Sequence, residues 1–97
     1  MSVYVDEPDK PYGRMVMCHM IADSHEELMD MVGCMSLRRN WIQDEGTYRE
    51  HFDICKSNRA LAIAFGAIEL SNRELYQKVR RKRELAKLRS TERVTSR

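Results

Sequence analysis

Apolar and polar positions change their period several times along the chain, and each change marks an element. In "SVYVDE" the β-branched and aromatic centre predicts a first strand that ends on Asp6. "PDKPYG", with two prolines and a glycine, reads as a loop. In "RMVMCHMIAD" Val16, Cys18, Met20 and Ala22 make one wholly apolar face, while Met15, Met17, His19 and Ile21 make the other. A strand apolar on both faces belongs at the centre of a sheet.

The period then lengthens. In "SHEELMDMVGCMSL" Ser24 and Glu27 form a capping box, and Leu28, Met31, Val32 and Met35 recur at helical spacing, so a helix lays one stripe on the sheet. "RRNWIQDEGTYRE" is polar and irregular, an exposed loop with room for a short strand over Trp41 to Gln43. "HFDIC" predicts a third strand, after which Ser57 caps a helix over "NRALAIAFGA". Nearly every side of that helix is apolar, so it is expected to be buried on most of its circumference, by the sheet and a neighbour or by a second subunit. "AIEL" reads as a short strand. Ser71 and Glu74 form a second capping box, for a helix docked by Leu75, Tyr76 and Val79 and basic beyond them.

This order predicts an α/β fold: a small two-layer sheet of three to four strands packed by three helices. One domain is expected over residues 1–76, and residues 77–97 read as a basic helical extension, frayed from about residue 90 onward. The chain's 97 residues allow one core, and 42% hydrophobic with 33% charged residues is the composition of a folded chain, not a disordered one. "MSVYVDEPDK" lacks the features of a secretory signal, and the longest apolar run, "ALAIAFGAI", is too short to cross a bilayer, so a cytoplasmic protein without membrane contact is expected.

Charge refines this picture. Residues 71–97 carry ten Lys or Arg against three Glu, a balance of +7, whereas residues 1–70 carry seven basic against twelve acidic groups, a balance of −5. The basic segment suits an acidic partner surface, while its lack of interleaved aromatics beyond Tyr76 disfavours sequence-specific nucleic-acid binding. Cys18, Cys34 and Cys55 are odd in number and unpaired in spacing, which favours reduced, mostly packed thiols over a disulfide framework or structural zinc.

Candidate chemistry gathers where strands end. Asp6, Asp23 and Asp53 fall at or just beyond predicted strand ends, His51 and Asp53 share a strand face by period two, and His19 comes from a neighbouring strand. Each has a structural explanation too: Asp23 favours a helix dipole, Asp53 can orient Arg59, and His19 can be a satisfied core histidine. Asp6, Asp23, His51 and Asp53 are the ligand types of a magnesium or manganese phosphoesterase site. No nucleophile motif, phosphate-cradling glycine loop or "HExxH" accompanies them, so catalysis has no positive signature. Arg14, Arg38, Arg39 and Arg59 with Trp41 and Tyr48 have the composition of a nucleotide site, arginines for phosphate and a ring for the base.

The stretches "VYVDEPDKPYGRMVMCHMIAD", "EEL", "RRNWIQ" and "HFDICKSNRALAIAFGAIEL" resemble the short phage and bacterial proteins grouped as the domain of unknown function numbered four thousand and thirty-one. The resemblance covers roughly residues 2–76 and rests on Tyr4, Val5, Asp6, Pro11, Gly13, His19, Asp23, Trp41, Gln43, His51, Asp53, Arg59, Ala60, Gly66 and Ala67. It implies a small cytoplasmic protein, in a phage setting an accessory gene product acting on host metabolism or defence.

Three functions are therefore expected, in this order. The first is a homo-oligomeric binder, without cofactor, of a phosphate-bearing nucleotide or signalling ligand, sequestering it through Arg14, His19, Asp23, Arg38, Arg39, Trp41, Tyr48, His51, Asp53 and Arg59. The second is a metal-dependent phosphodiesterase or nuclease. The third is an inhibitor that binds a host protein through the basic helix.

Overall fold

A computed structural model describes residues 2–95, with side chains through residue 89. In chain order the elements are β1 (Val3–Val5), β2 (Lys10–Tyr12), β3 (Met15–Ala22), α1 (His25–Cys34), a 3-10 turn (Arg39–Trp41), β4 (Phe52–Cys55), α2 (Lys56–Ala64), β5 (Ile68–Glu69) and α3 (Asn72–Thr95). The fraying expected from about residue 90 concerns a stretch whose side chains, and whose last two residues, lie outside the described residues.

The ladder register places β3 at the centre, as its two apolar faces require. Met17 pairs with Lys10 on one side and Cys55 on the other, and Met20 pairs with Val5 and Phe52. β1 and β2 therefore lie end to end along one edge of β3, and β4 lies along the other. β5 adds in parallel to β1, with Tyr4 opposite Ile68, so the five-stranded sheet is mixed.

The sheet has one strand more than expected, because "PDKPYG" is not all loop. Lys10–Tyr12 pairs with Met15–Met17 across the two-residue turn Gly13–Arg14. Gly13 has φ +61° there, the left-handed conformation that tight hairpins ask of their first turn residue. Pro11 is tolerated because β2 is an edge strand, where a missing N–H breaks no ladder.

Alternation along the strands sorts the two faces. Val3, Val5, Cys18, Met20, Ala22, Phe52 and Ile54 point to one side and pack with Leu28, Met31, Val32 and Met35 of α1 and its C-cap, and with Ala62 of α2. Tyr4 and Ile21 point to the other side, where Leu75 and Val79 of α3 cover them. The α/β class and the three helices are as expected, but α3 lies across the sheet from α1 and α2. It shields only part of its face, over Tyr4 and Ile21. Burial in the larger core pushes the Cys18 thiol up to about 12, so Cys18 is an inert packing group.

Both serines cap their helices, but only Ser71 with Glu74 completes the capping box; at α1 the Glu27 carboxylate accepts from the Ser24 hydroxyl instead of the Ser24 backbone N–H. The Ser24 hydroxyl accepts from the Glu27 N–H at 3.2 Å, and at α3 the exchange is reciprocal, Glu74 N–H to Ser71 Oγ at 3.1 Å and Ser71 N–H to Glu74 Oε1 at 2.9 Å. The expected Ser57 cap does not form. Cys55, still paired with Met17, is itself the N-cap of α2, so strand passes to helix without a linker, and the Ser57 hydroxyl meets the Cys55 sulfur at 3.2 Å. Nor is α2 buried all round: Ala62 is enclosed while Leu61 and Phe65 are exposed, because the helix packs on the sheet along one face only.

α3 runs unbroken through residue 76, the expected end of the domain, and stays attached beyond it. Lys78 reaches Asp23 at 3.2 Å and Lys82 donates to the Ala22 carbonyl at 2.8 Å. Burial lowers the Lys82 pKa.

The segment before β4 is tethered to α1. Glu50, almost fully buried, accepts from His25 Nδ1 at 2.9 Å and from the Gly46 N–H at 3.2 Å. Hydrogen bonding to Glu50, then its charge, raises the His25 pKa above the usual 6.5. A raised folded-state pKa contributes stability that is complete below about 6.5 and lost as pH rises through the folded value. The stability gap between the parent and His25→Ala should therefore narrow as urea unfolding is followed from pH 6 to pH 8. A gap that is constant over that range would assign His25 no titrating role.

Candidate functional site

The sheet register builds a polar cluster directly. His19 on β3 is paired with Asp53 on β4, so both project from the face that α3 covers in part. His51 lies two residues before Asp53 and shares its face, and an isolated bridge between Gln43 and His51 brings Gln43 alongside. His19 Nε2 and His51 Nε2 lie 3.7 and 3.6 Å from Asp53 Oδ1, and the two rings meet edge to face at 5.3 Å.

The other polar atom of each residue is already engaged. His51 Nδ1 lies 2.7 Å from the Arg49 carbonyl. A carbonyl only accepts, so Nδ1 carries a proton and Nε2 is the nitrogen that faces Asp53. His19 Nδ1 lies 2.9 Å from Asp6 Oδ2, so its Nδ1 likewise carries a proton and its Nε2 faces Asp53. Gln43 Nε2 donates to Asp53 Oδ2 at 2.6 Å, leaving Oδ1 for the cluster.

Asp6 holds this arrangement from beneath. At the end of β1 its carboxylate accepts the His19 backbone N–H at 2.6 Å as well as the ring, and Lys10 Nζ approaches it at 3.0 Å. Burial opposes its charge, yet the hydrogen bonds from His19 and Lys10 hold the Asp6 pKa below its usual value. Hydrogen bonding to Asp6 raises the His19 pKa, with burial opposing. Arg59 Nε donates to the Asp6 carbonyl at 2.7 Å and its guanidinium pairs with Glu69 at 3.1 Å, tying α2 to this strand end.

Ligand atoms of His19, His51 and Asp53 all lie within 4.8 Å of one another. Bonds of about 2.0–2.2 Å to a shared ion place tetrahedral ligand atoms roughly 3.3–3.6 Å apart, close to the 3.7 and 3.6 Å that separate Asp53 Oδ1 from the two Nε2 atoms. Two imidazoles and one carboxylate, each oriented by an outer partner, form a donor set suited to zinc, iron or manganese rather than magnesium. Three protein ligands also leave positions for water and substrate.

Two clefts of about 670 Å³ each meet at His19. The first, beneath α3, takes in His51, Tyr48, Arg49, Tyr76, Arg80 and Arg83. The second, over the uncovered half of the face, takes in Asp53, Gln43, Trp41, Tyr12, Met15 and Met17.

Of the expected site residues, the structure unites His19, His51 and Asp53 and puts Tyr48 and Trp41 in different clefts. Asp6 acts through His19 and is not positioned as a ligand. Asp23 lies apart, accepting from Tyr4 and the Ser2 N–H and pairing with Lys78; these bonds hold its pKa down although burial opposes. Arg14 is exposed in the hairpin turn, Arg38 stacks over Trp41 at 5.8 Å, Arg39 borders a separate hollow with Glu26 and Asp30, and Arg59 is engaged at Asp6 and Glu69. None of these four arginines lines either cleft. The arginines that do, Arg49, Arg80 and Arg83, were not singled out. Their signal was the spacing of Tyr76, Val79, Arg80 and Arg83 at i, i+3, i+4 and i+7, one face of α3.

Fold and site define a small α/β protein with a two-histidine, one-carboxylate cluster on the open face of a mixed sheet. Residues 3–82 match the family described as Protein of unknown function (DUF4031), and the chain belongs to that family. No curated protein and no solved structure matches it.

Proposed function

We propose that the protein is a metal-dependent phosphoesterase in which His19, His51 and Asp53 hold one divalent transition-metal ion. The observation that carries this reading is the convergence of two imidazole nitrogens and one carboxylate oxygen, each with its residue's remaining polar atom bound elsewhere. A bound ion of this class supplies Lewis acidity, bringing the pKa of water from about 15.7 towards 7.

Arg49, Arg80 and Arg83 favour a phosphate-bearing substrate in the adjoining cleft, and Tyr48 and Tyr76 offer rings against which a base can stack. In the reaction the water oxygen bonds to phosphorus and the ester P–O bond breaks. One proton of the water ends on the departing oxygen, giving a phosphate monoester and an alcohol from a diester. The arginines neutralise charge gathering on the phosphoryl oxygens.

The test is release of p-nitrophenol from thymidine 5′-(p-nitrophenyl phosphate), a diester with a ring on each side of the phosphate, by zinc- or manganese-loaded protein. Turnover lost to chelator and restored by the ion is expected; a fully loaded protein without turnover would overturn the hydrolytic reading. The same arginine-lined cleft favours a second reading, sequestration of a nucleotide, including a defence signal in a phage setting. A mononucleotide that binds tightly and is recovered unaltered would support it.

A further inference from the structure

We infer that the substrate is a single-stranded phosphodiester carrying a nucleoside on each side of the scissile phosphate, a dinucleotide or oligonucleotide rather than a phosphate monoester. This deepens the phosphoesterase reading and rests on it.

The cluster sits at a junction. His19 borders both clefts, His51 belongs to the arginine-lined one and Asp53 to the other, so a phosphate placed at all three residues has open space on two sides. Each cleft, about 670 Å³, lies within the range of small-ligand sites, roughly 300–1,000 Å³. A monoester has one organic group and would fill one of them.

The two walls differ in chemistry. On the α3 side Arg80 and Arg83 stand on one helix face beside Tyr76, suited to a phosphate backbone and a stacked base. On the far side Trp41 and Tyr12 are 53% and 74% exposed, large rings left out of the core at the mouth of a cleft that reaches Asp53. Rings so placed stack on an unpaired base whatever its identity, and paired bases of a duplex do not offer their faces. The second cleft thus has the makings of a nucleoside subsite, reached only by a substrate that continues past the phosphate.

Trp41 is the sole tryptophan of the chain, so emission excited selectively at tryptophan, beyond the absorption of its four tyrosines, reports on this subsite. The experiment titrates the metal-loaded protein with adenylyl-adenosine phosphorothioate, a slowly cleaved dinucleotide, and with AMP. The dinucleotide is expected to quench Trp41 and to bind at least about tenfold more tightly than AMP, the range that one stacked base gives. Tyr12→Ala, at an exposed hairpin position, should bring the two affinities to within a few-fold of each other. Equal binding of AMP and dinucleotide, or saturation without change in Trp41 emission, would overturn the inference. Failure of the phosphoesterase reading looks different: thymidine 5′-(p-nitrophenyl phosphate) is not turned over although the ion is bound, and the fluorescence result is unaffected by that failure.

Discussion

His51→Ala and Asp53→Asn proteins should bind zinc at least about 100-fold more weakly than the parent and lose metal-dependent turnover, while remaining folded. Changing only the outer partner of a metal ligand commonly costs about 10–100-fold in affinity, so deletion of a ligand sets that range as a floor. The fold should survive because both side chains belong to the partly open face of the sheet and neither joins the buried cores. Substitutions at such positions usually change stability by about 0.5 kcal/mol or less. Competition with a chelating dye gives the affinities, and thermal unfolding of the same samples checks the fold. Zinc affinities equal to the parent's in both variants would remove the assignment of ligands.

Asp6→Asn should be the most destabilising single change in the cluster, and should weaken metal binding although Asp6 does not face the ion. The Asp6 side chain is 2% exposed and accepts from the His19 backbone, the His19 ring and Lys10. Removing one partner of such a buried pair costs about 3 kcal/mol, the low end of the usual range because His19 and Lys10 keep some solvent contact. In a domain of this size that corresponds to a fall in Tm on the order of 10–20 °C. Asparagine also offers an N–H where the carboxylate accepted. His19 Nδ1 then becomes an acceptor, the proton moves to Nε2, and the nitrogen facing Asp53 no longer has a lone pair to give. A merely structural Asp6 would lower Tm and leave the affinity of the still-folded variant intact at low temperature. A positioning Asp6 lowers affinity there too, by about 10–100-fold.

Much of the scaffold was legible because its signals are local. The double apolar face of β3 announced a central strand, and Ser24 and Ser71 cap the helices that they predicted. β2 was hidden because Pro11 argues against a strand until its neighbour is known to be absent. The exposure of Leu61 and Phe65 was equally unreadable, since an apolar helix does not say how many sides the fold will cover.

The site was legible in its centre and not at its rim. Period two joined His51 to Asp53, and an adjacent strand supplied His19. The strand-end position expected of both Asp53 and Asp23 holds only for Asp23, which is occupied by Tyr4 and Lys78; Asp53 lies inside β4, paired with His19 and facing the open cluster. The arginine assignment followed sequence proximity to Trp41, whereas the cleft draws on α3, far along the chain. A basic run read without its tertiary partner is indistinguishable from a solvated helix face.

X-ray absorption of the protein loaded with one equivalent of zinc tests the central claim most directly, because it reads the ligand atoms themselves. The proposed centre predicts two imidazole nitrogens and carboxylate or water oxygens at about 2.0–2.2 Å, with no sulfur. Sulfur scattering near 2.3 Å, the signature of a cysteine site, or a shell of oxygens without imidazole, would contradict it.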